Sequence, residues 1–236
     1  MDYNVNDIKK YMDLFPFTPD DKFSEEETYE FVNRIDENLF DIFDYNSGAT
    51  KFVIIPYDSD YVVKIPFNYI SRSSSSFEQS SGSIWDAGQM PFTNASLNDE
   101  YGWDYCALEE DVYSLAKKEG WDKFFTEVQR VREVTQYPTY IQKKIKMLNY
   151  STKGKRKEEY LSKSRDFCLK NRVRYACPNW WADVLETFNG KESDFLNFLS
   201  FLKEYELDED LHGNNVGYDI DTGMPIICDY AGFREY

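Results

Sequence analysis

The run "YVVKIPF", Tyr61 to Phe67, constrains the fold most, because it sets Lys64 among β-branched and aromatic residues that belong inside a protein. It follows a second β-rich run, "KFVIIPY", and the turn-forming Asp58, Ser59 and Asp60 between them make the pair a hairpin. Side chains alternate along a strand, so the Lys64 ammonium shares a face with Val62. A cation there needs a carboxylate. The stretch "DYCALEEDVYSLAKKEG" supplies one, reading as a helix closed by Gly120 with Tyr105, Leu108, Val112, Leu115 and Ala116 as its apolar stripe. At about 100° per residue, Glu109 falls beside that stripe and Glu110 nearly opposite it. Neither charge is tolerable alone when buried, so a Lys64–Glu109 pair is expected.

Other elements follow from pattern. "SEEETYEFVNRIDENLF" carries a capping-box signature at Ser24 and Glu27, with Val32, Ile35 and Leu39 at helical spacing. The serine-rich stretch 71–83 has too little to bury and reads as a loop. "PTYIQKKIKML" reads as a strand, and two aromatic-rich helices are expected around "NWWADVLETF" and "ESDFLNFLSFLKEY". Their Trp180, Trp181, Phe195, Phe198 and Leu202 are core residues in this reading. Last comes a hairpin, with Val216 to Ile220 and Met224 to Cys228 flanking a turn at Asp221, Thr222 and Gly223.

Between the last helix and that hairpin lies "DEDLHGNNVGY", which holds three acids, the single histidine and two asparagines. Polar loops carried on rigid elements are where chemistry concentrates. Asn215 follows Asp210 by five residues, and the hairpin returns the chain so that Asp229 approaches Asn215. An Asn and an Asp brought together suit magnesium, a hard cation that keeps waters and phosphate oxygens in its remaining positions. Asp210 is then placed to accept a proton from a hydroxyl, and the neighbouring Asp208 and Glu209 are expected to raise its pKa.

At 236 residues the chain can bury a large core, and an aromatic share of 18 % argues against disorder despite a net charge of −16. No stretch reaches the roughly 20 apolar residues of a bilayer span. "MDYNVNDIKK" lacks the regions of a signal peptide, so a soluble cytoplasmic protein is expected. Cys106, Cys168, Cys177 and Cys228 show no short paired spacing and read as reduced packing residues. Between Lys143 and Arg174 there are 12 basic residues against 3 acidic ones. That segment is either a solvated helix or loop, or a docking site for an anionic partner; the acidic remainder repels nucleic acid.

In order along the chain, Lys64 in "YVVKIPF", Glu109 in "DYCALEED", Asp210 and Asn215 in "DLHGNNVG" and Asp229 in "IICDYAGF" resemble the motif set of the protein-kinase-like fold. "DLHGNN" is closer to aminoglycoside and choline phosphotransferases, and the whole is similar to small kinase-like proteins of bacteria and their phages. The resemblance implies an α+β, two-lobed fold. Residues 1–42 would be an N-terminal helical extension. An N-lobe over 43–147 would have an antiparallel sheet and one inward helix, and a reduced, mainly helical C-lobe over 148–236 would hold the catalytic loop and the metal-binding hairpin.

It further implies ATP and Mg2+ as cofactors in phosphoryl transfer to a hydroxyl of a small molecule or protein. Lys64, held by Glu109, would contact the α and β phosphates; Val62 would line the adenine slot; Gln142 would open the hinge, which runs to Ile145. Asn215 and Asp229 would hold magnesium, and Asp210 would be the catalytic base. The loop covering the nucleotide would be "NSGATK", with Gly48 as its single glycine. Asp208 and Glu209 stand where protein kinases carry His-Arg, and an activation segment is not expected after "DYAGF". An anionic phosphoacceptor would dock on the basic segment 143–174. The alternative is a catalytically silent binding or regulatory protein of the same fold; a third reading is an unrelated acidic interaction protein.

Overall fold

The computed structural model describes residues 3–13, 42–47, 51–66, 104–148 and 158–230. The helix expected from Ser24, the loop holding Gly48, the serine-rich stretch 71–83 and residues 149–157 of the basic segment lie outside the described residues. The protein is α+β with antiparallel sheets and divides into two compact units. The first takes the described residues up to Glu110 together with Val128–Lys143; the second takes Asp111–Glu127 and those from Lys144 onward.

In the first unit, α1 (Val5–Met12) starts at Asn4, whose side chain accepts the Asn6 amide N–H at 3.0 Å. Strands β1 (Phe43–Ser47), β2 (Lys51–Pro56) and β3 (Tyr61–Pro66) form a meander. Helix α2 (Tyr105–Glu119) contributes Tyr105 to Glu110, and β4 (Val128–Arg130) and β5 (Tyr140–Lys143) complete a five-stranded sheet in the order β1-β2-β3-β5-β4. The register pairs Phe52 with Ile65, Ile54 with Val63 and Val63 with Ile141. One sheet face is therefore apolar and closes on Ile8 and Met12 of α1 in a single buried cluster. The opposite parity carries Lys51, Val53, Val62, Lys64, Tyr140 and Gln142 on the other face. The expected β2–β3 hairpin is present, and α1, within the stretch 1–42 expected as an extension, packs into this core.

The second unit opens with the rest of α2, stopped by Gly120 at φ 79°, a left-handed value that glycine adopts without strain. A single 3-10 turn, Asp122–Phe124, follows. Then come β6 (Ile145–Met147), α3 (Glu158–Lys170), α4 (Pro178–Thr187), α5 (Glu192–Glu204), β7 (Val216–Asp219) and β8 (Pro225–Ile227), the strands ordered β6-β7-β8. Trp180, Trp181, Phe195, Phe198 and Leu202 are all buried, as expected, and Phe124 packs on Phe198 with ring centroids 4.4 Å apart. The terminal hairpin also forms as read, with Gly223 at φ 69° in its turn.

Two boundaries differ from the expectation. "PTYIQKKIKML" is not one strand: β5 pairs with β3 and β4, whereas β6 pairs with β7 in the other sheet. The chain passes from the first unit to the second between Lys143 and Lys144. Residues 111–127 also cluster with the second unit, because Phe125 bridges Ile227 and the Thr126 amide donates to the Ile227 carbonyl at 2.9 Å. All four cysteines are free thiols and buried; burial pushes Cys168 up to about 12, which leaves it an inert packing group. Among the described residues no helix is long and apolar enough to cross a membrane.

Candidate functional site

The first unit holds a buried charge cluster. Lys64 Nζ donates to Glu109 Oε2 at 2.8 Å, and Lys51 Nζ donates to Glu109 Oε1 at 2.6 Å. The Glu109 side chain is fully buried and those of Lys64 and Lys51 are 5 % and 6 % exposed, so the three charges interact with little solvent screening. Local rules dictate the arrangement. Strand parity sends both lysines to the face opposite the apolar core, and helical spacing turns Glu109 inward while Glu110 instead accepts the Arg130 amide at 3.0 Å. Val53 lies opposite Lys64 and Lys51 opposite Pro66, which makes the lysines diagonal neighbours across β2 and β3.

The helix bearing Glu109 is fixed at its start. Asp104 accepts the Ala107 amide at 3.0 Å, capping α2, and accepts the Tyr140 hydroxyl at 2.7 Å. Tyr140 is the cross-strand partner of Lys64, so one carboxylate ties the helix start to the strand beside the lysine. Burial raises the Asp104 carboxyl above its ordinary range, against the pull of those hydrogen bonds and of Arg130. Val62 and Gln142 face each other across β3 and β5 on the same side as Lys64.

The second unit gathers the other three expected residues. After α5, Glu206 turns left-handed at φ 54° and the Leu207 amide closes back on the Leu202 carbonyl at 2.8 Å. Buried Leu207 and Leu211 pin the loop from inside and leave Asp210 half-buried between them. Asn215 Nδ2 donates both to the Asp210 backbone carbonyl and to Asp210 Oδ2, each at 2.8 Å. The Asn215 carbonyl in turn accepts the Cys228 amide at 2.9 Å and the Asp229 amide at 3.4 Å. Asp210, Asn215 and Asp229 are thereby brought together as the hairpin geometry requires.

Asp210 holds its proton more tightly than an ordinary aspartate. Burial is the largest cause, and the charge of Asp229 adds to it; His212, Asn215 and Arg174 oppose it. Asp208 and Glu209, the neighbours expected to raise it, are not among the causes, whereas Asp229, returned by the hairpin, is. His212 Nδ1 accepts the Asn214 amide at 3.2 Å, and its Nε2 lies 3.4 Å from Asp210 Oδ1. Beside the loop lies an open cavity of about 700 Å³, walled in part by Arg172 and Arg174 from the end of the basic segment. Arg174 donates to the Glu209 carbonyl at 2.8 Å, holding the backbone just ahead of Asp210.

Asn215 and Asp229 are the residues here that could hold a hard cation such as magnesium. Asn215 spends its amide nitrogen on Asp210, leaving the amide oxygen to face a cation, and two carboxylates of like charge lie close enough to perturb each other. Among the described residues no group of three or more His, Cys, Asp or Glu is arranged to hold a metal ion. Lys51 and Asp104 are the participants that sequence pattern did not single out. The β2–β3 register was the signal for Lys51; for Asp104 it was its place immediately before a helical stripe. No protein-family model, curated protein or solved structure matches the chain.

Proposed function

We propose that the protein is a magnesium- and ATP-dependent phosphotransferase of the two-lobed protein-kinase-like fold, acting on a hydroxyl of a small molecule or protein. The observation that carries this reading is the loop-and-hairpin constellation in which Asn215 binds Asp210 through its side chain and the Asp229 backbone through its carbonyl. A binding module has no need of a raised-pKa carboxylate set against an amide oxygen and a second carboxylate; phosphoryl transfer needs all three.

In this reading Lys64, oriented by Glu109, binds the α and β phosphates, with Val62 and Gln142 beside the base. Asn215 and Asp229 would hold the magnesium ion, which when bound would neutralise charge on the phosphate oxygens. Asp210 accepts the acceptor hydroxyl's proton as that oxygen bonds to the γ-phosphorus, and the β–γ bridging oxygen leaves with the electron pair as ADP. Little else is asked of the protein, so positioning and electrostatics supply the rate. Burial of Asp210 raises its proton affinity, which favours a base over a bystander ion.

Thermal unfolding with and without magnesium ATP tests the reading first. At about 100 times the dissociation constant, ATP should stabilise the fold by about 2.7 kcal/mol, an upward shift of several degrees. Transfer of labelled γ-phosphate into a lysate of the source cell should then disappear in Asp210→Asn while ATP binding persists. Binding with no transfer in the wild type would favour the catalytically silent alternative, and no shift up to millimolar ATP would defeat both.

A further inference from the structure

Glu109 does more than orient one lysine: each of its oxygens holds a different ammonium group. We propose that Lys51 is a second phosphate-binding cation, delivered from β2 and held on the same carboxylate as Lys64, so that the site grips a nucleoside di- or triphosphate from two strands. This rests on the nucleotide reading of the Lys64–Glu109 pair and adds to it a recognition residue.

Three observations converge. The β2–β3 register makes Lys51 and Lys64 diagonal neighbours on one sheet face, the face that also carries Val62 and Gln142. Their ammonium groups meet at one carboxylate, 2.6 Å and 2.8 Å away, which holds two cationic donors side by side, the donor type a phosphate takes. Lys51 is both the last residue of "NSGATK", the segment expected to cover the nucleotide, which contains one glycine, and the first residue of β2. Phosphate loops usually hold their anion with successive backbone N–H groups freed by several glycines. A chain with one glycine there can replace those dipoles with a full charge on the adjoining strand.

The test is equilibrium binding of magnesium ATP, ADP and adenosine to the full-length protein and to Lys51→Met, Lys51→Arg and Lys64→Met. A lysine that touches phosphate contributes a charge-assisted hydrogen bond, so Lys51→Met should weaken ATP and ADP by about ten- to a hundredfold. Adenosine, which has no phosphate, should bind the variant and the wild type alike. Lys51→Arg, which keeps the cation, should retain most ATP affinity. A lysine that only supports the fold would move all three ligands together or none. Wild-type ATP affinity in Lys51→Met, with loss confined to Lys64→Met, would overturn the inference and leave the nucleotide reading standing. A wild type that binds ATP no better than adenosine would overturn both. Should Lys51→Met fail to fold, Lys51→Gln, which keeps a donor and drops the charge, is read on the same ratio of ATP to adenosine affinity.

Discussion

Replacing Glu109 by glutamine should be among the most damaging single-atom-scale changes in the first unit. The variant keeps the shape of the side chain but removes the charge that lies 2.6 Å and 2.8 Å from two ammonium groups, in a fully buried position. Removing one member of a buried ion pair costs about 3–5 kcal/mol, because the other charge stays desolvated. Here two charges lose the same carboxylate, so the upper end of that range applies. For a chain of this length, a kilocalorie per mole moves the melting temperature by about 2–4 °C, which makes a drop of about 10–20 °C at the upper end. Lys51→Met should behave differently: Glu109 and Lys64 keep their contact at 2.8 Å, so neither is left desolvated without it, and the change should cost less than half as much. Because the protein has two compact units, unfolding is best followed site by site, through hydrogen exchange of the β2 and β3 amides alongside circular dichroism. Glu109→Gln within about 1 kcal/mol of wild type, or Lys51→Met costing as much as Glu109→Gln, would refute the three-membered charge cluster, since destabilisation of the usual size follows from almost any substitution.

Gly217→Ala should loosen the smaller sheet. A Cβ there would lie 2.4 Å from the Lys146 carbonyl oxygen, so β6 must shift; a cost of about 1–3 kcal/mol and faster exchange of the Leu148 amide, which donates to Val216, should follow. Asp104→Asn tests the helix start by pH. Burial raises the Asp104 carboxyl above 3.8, so the folded protein binds its proton more tightly than the unfolded chain. Its contribution to stability is full below that unfolded value and is lost as pH rises through the folded one. Urea midpoints of Asp104→Asn should therefore fall less steeply than those of wild type as pH rises from about 3.8, and parallel curves would contradict this assignment. Arg174→Ala should lower transfer activity with little change in ATP affinity, since it holds the Glu209 carbonyl beside Asp210; an equal loss in both would place its role elsewhere.

The Lys64–Glu109 pair was legible because two short-range periodicities fix it. Strand alternation sets the side of Lys64, and the helical step separates Glu109 from Glu110. The approach of Asp229 to Asn215 was legible for a similar reason: a hairpin closed at Asp221 to Gly223 leaves little choice of register. Lys51 was not, since its place depends on which residue of β3 it faces, and a slip by one residue would have turned it into the apolar core. Nor was the break at Lys144. Both halves of "YIQKKIKM" alternate in the same way, and only the tertiary partners, β3 for one and β7 for the other, tell them apart. Helix α1 carried a weak signal, Asn4 as cap with Ile8 and Met12 four residues apart, in a stretch of eight residues too short to be helical alone. The cause of the raised Asp210 pKa was misjudged because sequence neighbours are visible in a sequence and spatial ones are not.

A crystal structure of the full-length protein grown with Mg2+ and a non-hydrolysable ATP analogue decides whether the Asn215 loop and the Asp229 hairpin hold a metal at the phosphates. A metal ion should sit about 2.0–2.1 Å from the Asn215 amide oxygen and an Asp229 carboxylate oxygen, completing its shell with phosphate and water. Lys64 Nζ should lie within hydrogen-bonding distance of the α or β phosphate while Glu109 still holds it. An analogue bound elsewhere, or one that touches Lys64 while its metal lies away from Asn215 and Asp229, would contradict the phosphotransferase reading.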